Sequence, residues 1–128
     1  MIRYTTDAGA TWIEEWVNPR MILNTEYRTT ERWGGDPIYA KIISYTASGT
    51  IGSTSGVTTV DIPHNITGIK NLVRWEGHMN KNGYFLPYLS TGGGLTTVSY
   101  VGNSVIGLRI DSTQWTDDTF YITLYYTK

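Results

Sequence analysis

The run Phe120-Tyr121-Ile122-Thr123-Leu124-Tyr125-Tyr126 constrains this chain more than any other segment. Successive side chains of a strand point to opposite faces, so Phe120, Ile122, Leu124 and Tyr126 share one side and Tyr121, Thr123 and Tyr125 the other. One face is apolar and the other amphipathic, and a chain that finishes on such a strand has its C-terminus tied down. The same grammar runs back through the sequence. Pro37–Tyr45 is bounded by Gly34-Gly35-Asp36 and by Ser48-Gly49 with the loose 52–56 stretch, and Val57–Ile62 is closed by Pro63-His64-Asn65. Lys70–His78 carries β-branched and aromatic residues with Gly77 as a bulge or close approach. Asn82-Gly83 is the strongest two-residue hairpin signal and leads into Tyr84–Leu89. Gly92-Gly93-Gly94 makes a corner before Leu95–Val101, and Gly102-Asn103 joins that strand to Ser104–Ile110. Short strands at close spacing, with Gly and Asn turns and no long helix, predict an all-β domain: an antiparallel β-sandwich or jelly-roll over residues 37–128.

Residues 1–36 follow a different pattern. Trp12 with Trp16, and Ile13 with Val17, are i,i+4 pairs, so Ala8–Val17 reads as a short helix stopped before Pro19, or as an irregular hairpin with exposed Trp rings. Glu26–Trp33 alternates charge and aromatics without an apolar face. The expectation is a neck or connector over 1–36, irregular or helical, packed against neighbouring copies through Trp12, Trp16, Tyr27 and Trp33.

Composition narrows the chemistry. A chain of 128 residues makes one compact domain with room for a core, and 40% hydrophobic content argues against disorder. A net charge of −1 disfavours a nucleic-acid partner, and no apolar run is long enough to span a membrane. The absence of Cys removes disulfides, thiolate metal sites and Cys nucleophiles, and with only two His a metal site is not expected. No cofactor is implied. The phosphate-cradling loop, the calcium loop and the G-x-S-x-G elbow are missing, and a triad on His64 or His78 has no motif to support it. Asn65-Ile66-Thr67 matches a glycosylation acceptor, but Met1–Ala10 has no signal-peptide core. Paired carboxylates for sugar hydrolysis are the most serious enzymatic option, from Glu14, Glu15, Glu26, Glu31, Glu76, Asp111, Asp117 and Asp118. Glu26 and Glu31 have Arg28 and Arg32 as ready partners, and Asp117-Asp118 reads as a solvated turn.

Binding fits better than catalysis. The chain holds 20 Thr, 10 Tyr and 5 Trp against 2 Phe, so most of its aromatics carry a polar handle and suit boundaries rather than dry cores. Trp75, His78, Asn80, Tyr84 and Tyr88 cluster around the Asn82-Gly83 turn, with Trp115 in a loop beside Gln114 and Asp117. Aromatic faces against a sugar ring, with Asn or His taking hydroxyls, make a carbohydrate site.

Several ordered pieces resemble tail and fibre proteins of phages and prophages. They are Trp16-Val17-Asn18-Pro19-Arg20-Met21, Glu26-Tyr27-Arg28-Thr29-Thr30-Glu31-Arg32-Trp33 and Pro37-Ile38-Tyr39-Ala40-Lys41, then His64-Asn65-Ile66-Thr67-Gly68-Ile69-Lys70-Asn71 and the closing Tyr121–Lys128. Arg20 replaces a proline of that pattern and Asp36 a lysine. The resemblance implies a C-terminal tip domain, homotrimeric, on the virion tail outside the cell, contacting a bacterial surface polysaccharide or teichoic acid. Residues 1–36 would then be the end of a preceding knob-like module. A small depolymerase tip and a purely structural trimerising module are the alternatives.

Overall fold

The computed structural model describes residues 22–128 in full and, before them, the backbone of Ile2–Thr5 and Trp12–Glu15. Those two segments are strands β1 and β2, paired antiparallel with Ile2 opposite Glu15. Part of the stretch whose spacing allows a helix is therefore extended, as Gly9 and the β-preferring Trp12-Ile13 pair favour. The remainder of that stretch, Trp16, and the Trp12 side chain lie outside the described residues.

The following strands are β3 (Tyr27–Trp33), β4 (Asp36–Thr46), β5 (Thr50–Pro63), β6 (Asn71–Met79), β7 (Phe85–Leu86), β8 (Tyr88–Leu89), β9 (Leu95–Val101), β10 (Val105–Thr116) and β11 (Thr119–Thr127). They form two antiparallel sheets, β5-β10-β9-β8 and β3-β4-β11-β6-β7. One apolar cluster joins them, with Ile106, Leu108 and Ile110 of β10 and Phe120, Ile122, Leu124 and Tyr126 of β11 all fully buried. The all-β sandwich expected from the sequence is the observed fold. Strand β11 lies between β4 and β6, so its inward row meets neighbours on both sides: Ile122 is opposite Ile43 and Gly77, and Leu124 opposite Lys41 and Trp75.

Three boundaries differ from the sequence reading. The connector drawn to residue 36 cuts through a hairpin, because Tyr27–Trp33 pairs with β4 around Gly34-Gly35. It lacks an apolar face because it is an edge strand whose side chains are mostly exposed. Its acids also pair elsewhere than expected: Glu26 accepts from Tyr126 Oη and holds Lys128 at 2.7 Å, while Glu31 pairs with Arg74 at 2.8 Å. Burial pushes the Tyr126 hydroxyl up, helped by the Glu26 carboxylate; burial works against ionised Glu26, but its bonds to Lys128 and Tyr126 bring it below the usual carboxylate range.

Second, the Gly-rich 52–56 stretch is strand rather than loop. Gly52 pairs with Gln114, and Thr54, Ser55 and Gly56 bulge opposite Ser112, itself at φ 51°. Gly52 sits at φ +95°, and a Cβ there would lie 2.3 Å from the Thr113 carbonyl oxygen. Only glycine suits that conformation and that approach. Third, the hairpin at Asn82-Gly83 has a four-residue tip. Met79 N donates to Tyr84 O and Gly83 N to Met79 O, with Gly83 at φ +68°. The tip is clasped by Asp118, which is buried rather than solvated: its carboxylate accepts from Lys81 N at 2.7 Å, Asn82 Nδ2 at 2.6 Å and Thr119 N at 2.8 Å. Burial alone would raise its pKa, but these bonds outweigh it and hold the carboxyl below its ordinary value.

Replacing Gly52 by Ala is expected to destabilise the fold by about 2–4 kcal/mol, through the positive φ and the backbone clash. Gly56→Ala, whose nearest neighbour is Ser53 Oγ at 3.8 Å, should change denaturant stability by less than about 0.5 kcal/mol. Asp118→Asn should lower stability at pH 7 by about 2 kcal/mol, since a charge-assisted acceptor is lost. A depressed folded-state pKa contributes stability that is present above the unfolded value and lost as pH falls through the folded one. The gap between parent and Asp118→Asn unfolding curves should therefore narrow below about pH 4.

Candidate functional site

The alternation that buries one row of β11 turns Tyr121, Thr123 and Tyr125 onto the outer face of the five-stranded sheet. Register places His78, Glu76 and Arg74 of β6 beside them, opposite Tyr121, Thr123 and Tyr125 respectively. On the far side, β4 contributes Ser44, Ile42 and Ala40 to the same rows. Tyr27 stands opposite Ala40, and Phe85 opposite His78. Gly77 lets β7 approach closely, since a Cβ there would meet Leu86 Cδ1 at 3.0 Å. These rows make the outer face of the five-stranded sheet, on which Phe85, His78, Glu76 and Arg74 are exposed while Ala40, Ile42 and Thr123 are buried.

Two rows of it carry the chemistry. In the first, Phe85 is 80% exposed and flanks His78, whose ring stacks on Tyr121 with centroids 5.2 Å apart. Directly opposite side chains in an antiparallel pair have Cβ atoms about 5 Å apart, so the exposed Phe85 ring flanks the stacked His78–Tyr121 pair. In the second, the Arg74 guanidinium lies 4.0 Å from the centroid of the Tyr125 ring. It also meets Glu31 at 2.8 Å and Glu76 at 3.9 Å, and Tyr125 Oη donates to Glu76 at 3.4 Å. The bond to Glu31 raises the Arg74 pKa above its usual value. Burial, then the Glu76 charge, pushes the Tyr27 and Tyr125 hydroxyls up, so both keep their protons as donors at neutral pH.

The six residues singled out from the sequence separate into four places. His78 is on this face. Tyr84, Tyr88 and Trp115 come together where the chain crosses between sheets: Tyr84 and Tyr88 stack at 4.3 Å, and Trp115 meets them at 5.8 and 5.4 Å. Trp115 belongs to strand β10 rather than a loop, is 8% exposed, and donates its Nε1–H to Thr96 Oγ1 at 2.9 Å. Its polar handle is thus already used, and the trio plugs the end of the sandwich with Tyr84 outermost. Trp75 faces the interior opposite Leu124 and packs on the core. Asn80 is in the hairpin tip, its backbone N–H bonded to Thr119 O. Of the oligomerisation residues, Tyr27 is on the outer face and Trp33 is half-exposed beside the Gly34-Gly35 turn.

Phe85, Tyr121, Tyr125 and Arg74 were not among the sequence candidates, and Glu76 was one only as an acid for sugar hydrolysis. Their signal is the period of two: Arg74, Glu76 and His78 alternate with Val73, Trp75 and Gly77, as the Tyr residues of β11 alternate with its core residues. His64 is fully buried, with Nδ1 accepting from Ile66 N and Nε2 donating to Gly102 O, so both ring nitrogens are committed to holding the 64–66 turn. No group of three or more His, Asp or Glu side chains among the described residues is arranged to hold a metal ion. No helix among them is long and apolar enough to cross a membrane. The chain matches no protein-family model, no curated protein sequence and no solved structure.

Proposed function

We propose that this chain is the receptor-binding tip of a phage tail fibre: a non-enzymatic, homotrimeric domain on the virion tail that holds a bacterial surface glycan. The observation that carries the binding part is the stacked His78–Tyr121 pair on the outer sheet face, with the exposed Phe85 ring opposite His78. The apolar face of a sugar ring stacks on such rings while its hydroxyls take up neighbouring polar groups, here Tyr125 and Tyr27. The sequence resemblance to fibre proteins supplies the virion context. The carboxylates beside these rings are set up as ion-pair partners: Glu31 and Glu76 are exposed and share Arg74. A glycosidase acid needs an apolar pocket that keeps its proton, which favours binding over hydrolysis.

Self-association is supported by one sheet edge. Strand β3 carries Arg28, Glu31 and Arg32, and β7 and β8 have two residues each, all of which protect an edge from further pairing. Strand β5 is fourteen residues long with Asp61 as its one charge. Copies joined in a trimer would multiply weak sites into useful avidity.

Phe85→Ala and Tyr121→Ala are each expected to weaken adsorption to bacterial surface polysaccharide about tenfold, near 1.4 kcal/mol per ring, with little change in melting temperature. Leu89→Ala is the matched control, since Leu89 is 71% exposed and points from the opposite sheet. Parent-like adsorption by both aromatic variants would refute this site, and release of reducing sugar ends by the parent would favour the depolymerase reading.

A further inference from the structure

We infer that the glycan held on the outer sheet face is uncharged, built of neutral hexose or N-acetylhexosamine units, and that polymers bearing phosphate or uronate are discriminated against. The inference rests on the glycan-binding reading above and sharpens it.

The charges on the face decide the matter. Along its rows β4 contributes Ser44, Ile42 and Ala40, β11 contributes Tyr121, Thr123 and Tyr125, and β7 contributes Phe85. Among the described residues the ionised groups there are Arg74, Glu31 and Glu76, giving one positive charge against two negative. Arg74 is not free to receive an anion. It is bonded to Glu31 at 2.8 Å, lies 3.9 Å from Glu76 and is laid over Tyr125 at 4.0 Å. A phosphate or carboxylate seeking Arg74 would have to displace a carboxylate already in place and would meet the second one beside it. Like charges brought together across an interface are a device of exclusion.

Of the neighbouring cations among the described residues, Arg28 is exposed on β3 opposite Tyr39, in the alternate row to Tyr27, and the others have partners. Arg32 donates to Gly35 O at 2.9 Å, and Lys81 at the hairpin tip donates to Thr116 O at 3.3 Å. Farther along the same sheet, Lys70 pairs with Asp36 and Lys128 with Glu26. From Asn82 to Leu108 the sequence has no charged residue at all, so β7 and the crossing beyond it add nothing that would attract an anion. What the face offers instead is aromatic area, protonated Tyr hydroxyls and carboxylate acceptors, which suit the hydroxyls and acetamido N–H groups of neutral sugars.

The test is a panel of immobilised bacterial surface polysaccharides sorted into uncharged and phosphate- or uronate-bearing members, probed with the intact protein at low and at physiological salt. Binding confined to uncharged members, lost in Tyr121→Ala and little changed by salt, is the expected result. Glu31→Gln and Glu76→Gln should shift the ratio of anionic to neutral binding upward about three- to tenfold, because each removes a repelling charge and loosens Arg74. Tight binding to anionic polymers that weakens as salt rises would overturn the inference while leaving the glycan reading intact. Binding to no member of the panel, together with unaltered adsorption to cells by Tyr121→Ala, would overturn the reading on which it rests.

Discussion

The inward row of β11 is the contact on which the rest of the molecule depends. Phe120, Ile122, Leu124 and Tyr126 are fully buried against Ile106, Leu108 and Ile110 of the facing sheet. Each such side chain contributes on the order of 2 kcal/mol by leaving water. Because β11 is central in its sheet, that row also fixes β4 and β6 to either side. The strand period then leaves no freedom: a one-residue slip of register would exchange the core row for the Tyr121–Thr123–Tyr125 row.

The outer face is thus a by-product of the same alternation that makes the core. It is aromatic because β11 and β7 carry rings at outward positions, and polar because β6 contributes Arg74, Glu76 and His78 there. Its ends are pinned. Asp118 clasps the 80–83 tip, which sets the approach of β7, and Glu26 links Tyr126 and Lys128 to the chain entering β3. The Tyr84–Tyr88–Trp115 trio closes the sandwich where β7 gives way to β8 and holds that crossing against the core. On the facing sheet, Tyr100 lies over Gly107 and bonds Asp61, so its outer surface is organised by polar contacts around one ring.

Most of the strands were legible because their alternation is strong. Leu95–Val101 has the boundaries read from sequence, and the β11 row is oriented as its pattern requires. Strand β3 was obscure because an edge strand buries little and carries charges that resemble a connector. The start of β5 was obscure because Gly52 serves a close backbone approach, and glycine in sequence looks the same in a loop and in a bulge. Trp115 was misplaced because Gln114 and Asp117 give it polar neighbours along the chain, while in space it faces inward. For the candidate site, proximity in sequence drew attention to the hairpin, yet a sheet face is assembled across strands. His78 was found by its chemistry; Tyr121 and Tyr125 needed the register that brings them beside it.

The central claim is that one face of one sheet receives the ligand. The most direct measurement is a titration of the isotopically labelled protein with a glycan that it binds, following backbone amide and aromatic ring resonances by NMR. The account predicts that shifts concentrate at Phe85, His78, Tyr121, Thr123 and Tyr125, with Thr97, Arg109 and Leu89 on the facing sheet unmoved. Shifts concentrated on that opposite face, or at Tyr84 and Tyr88 alone, would contradict it.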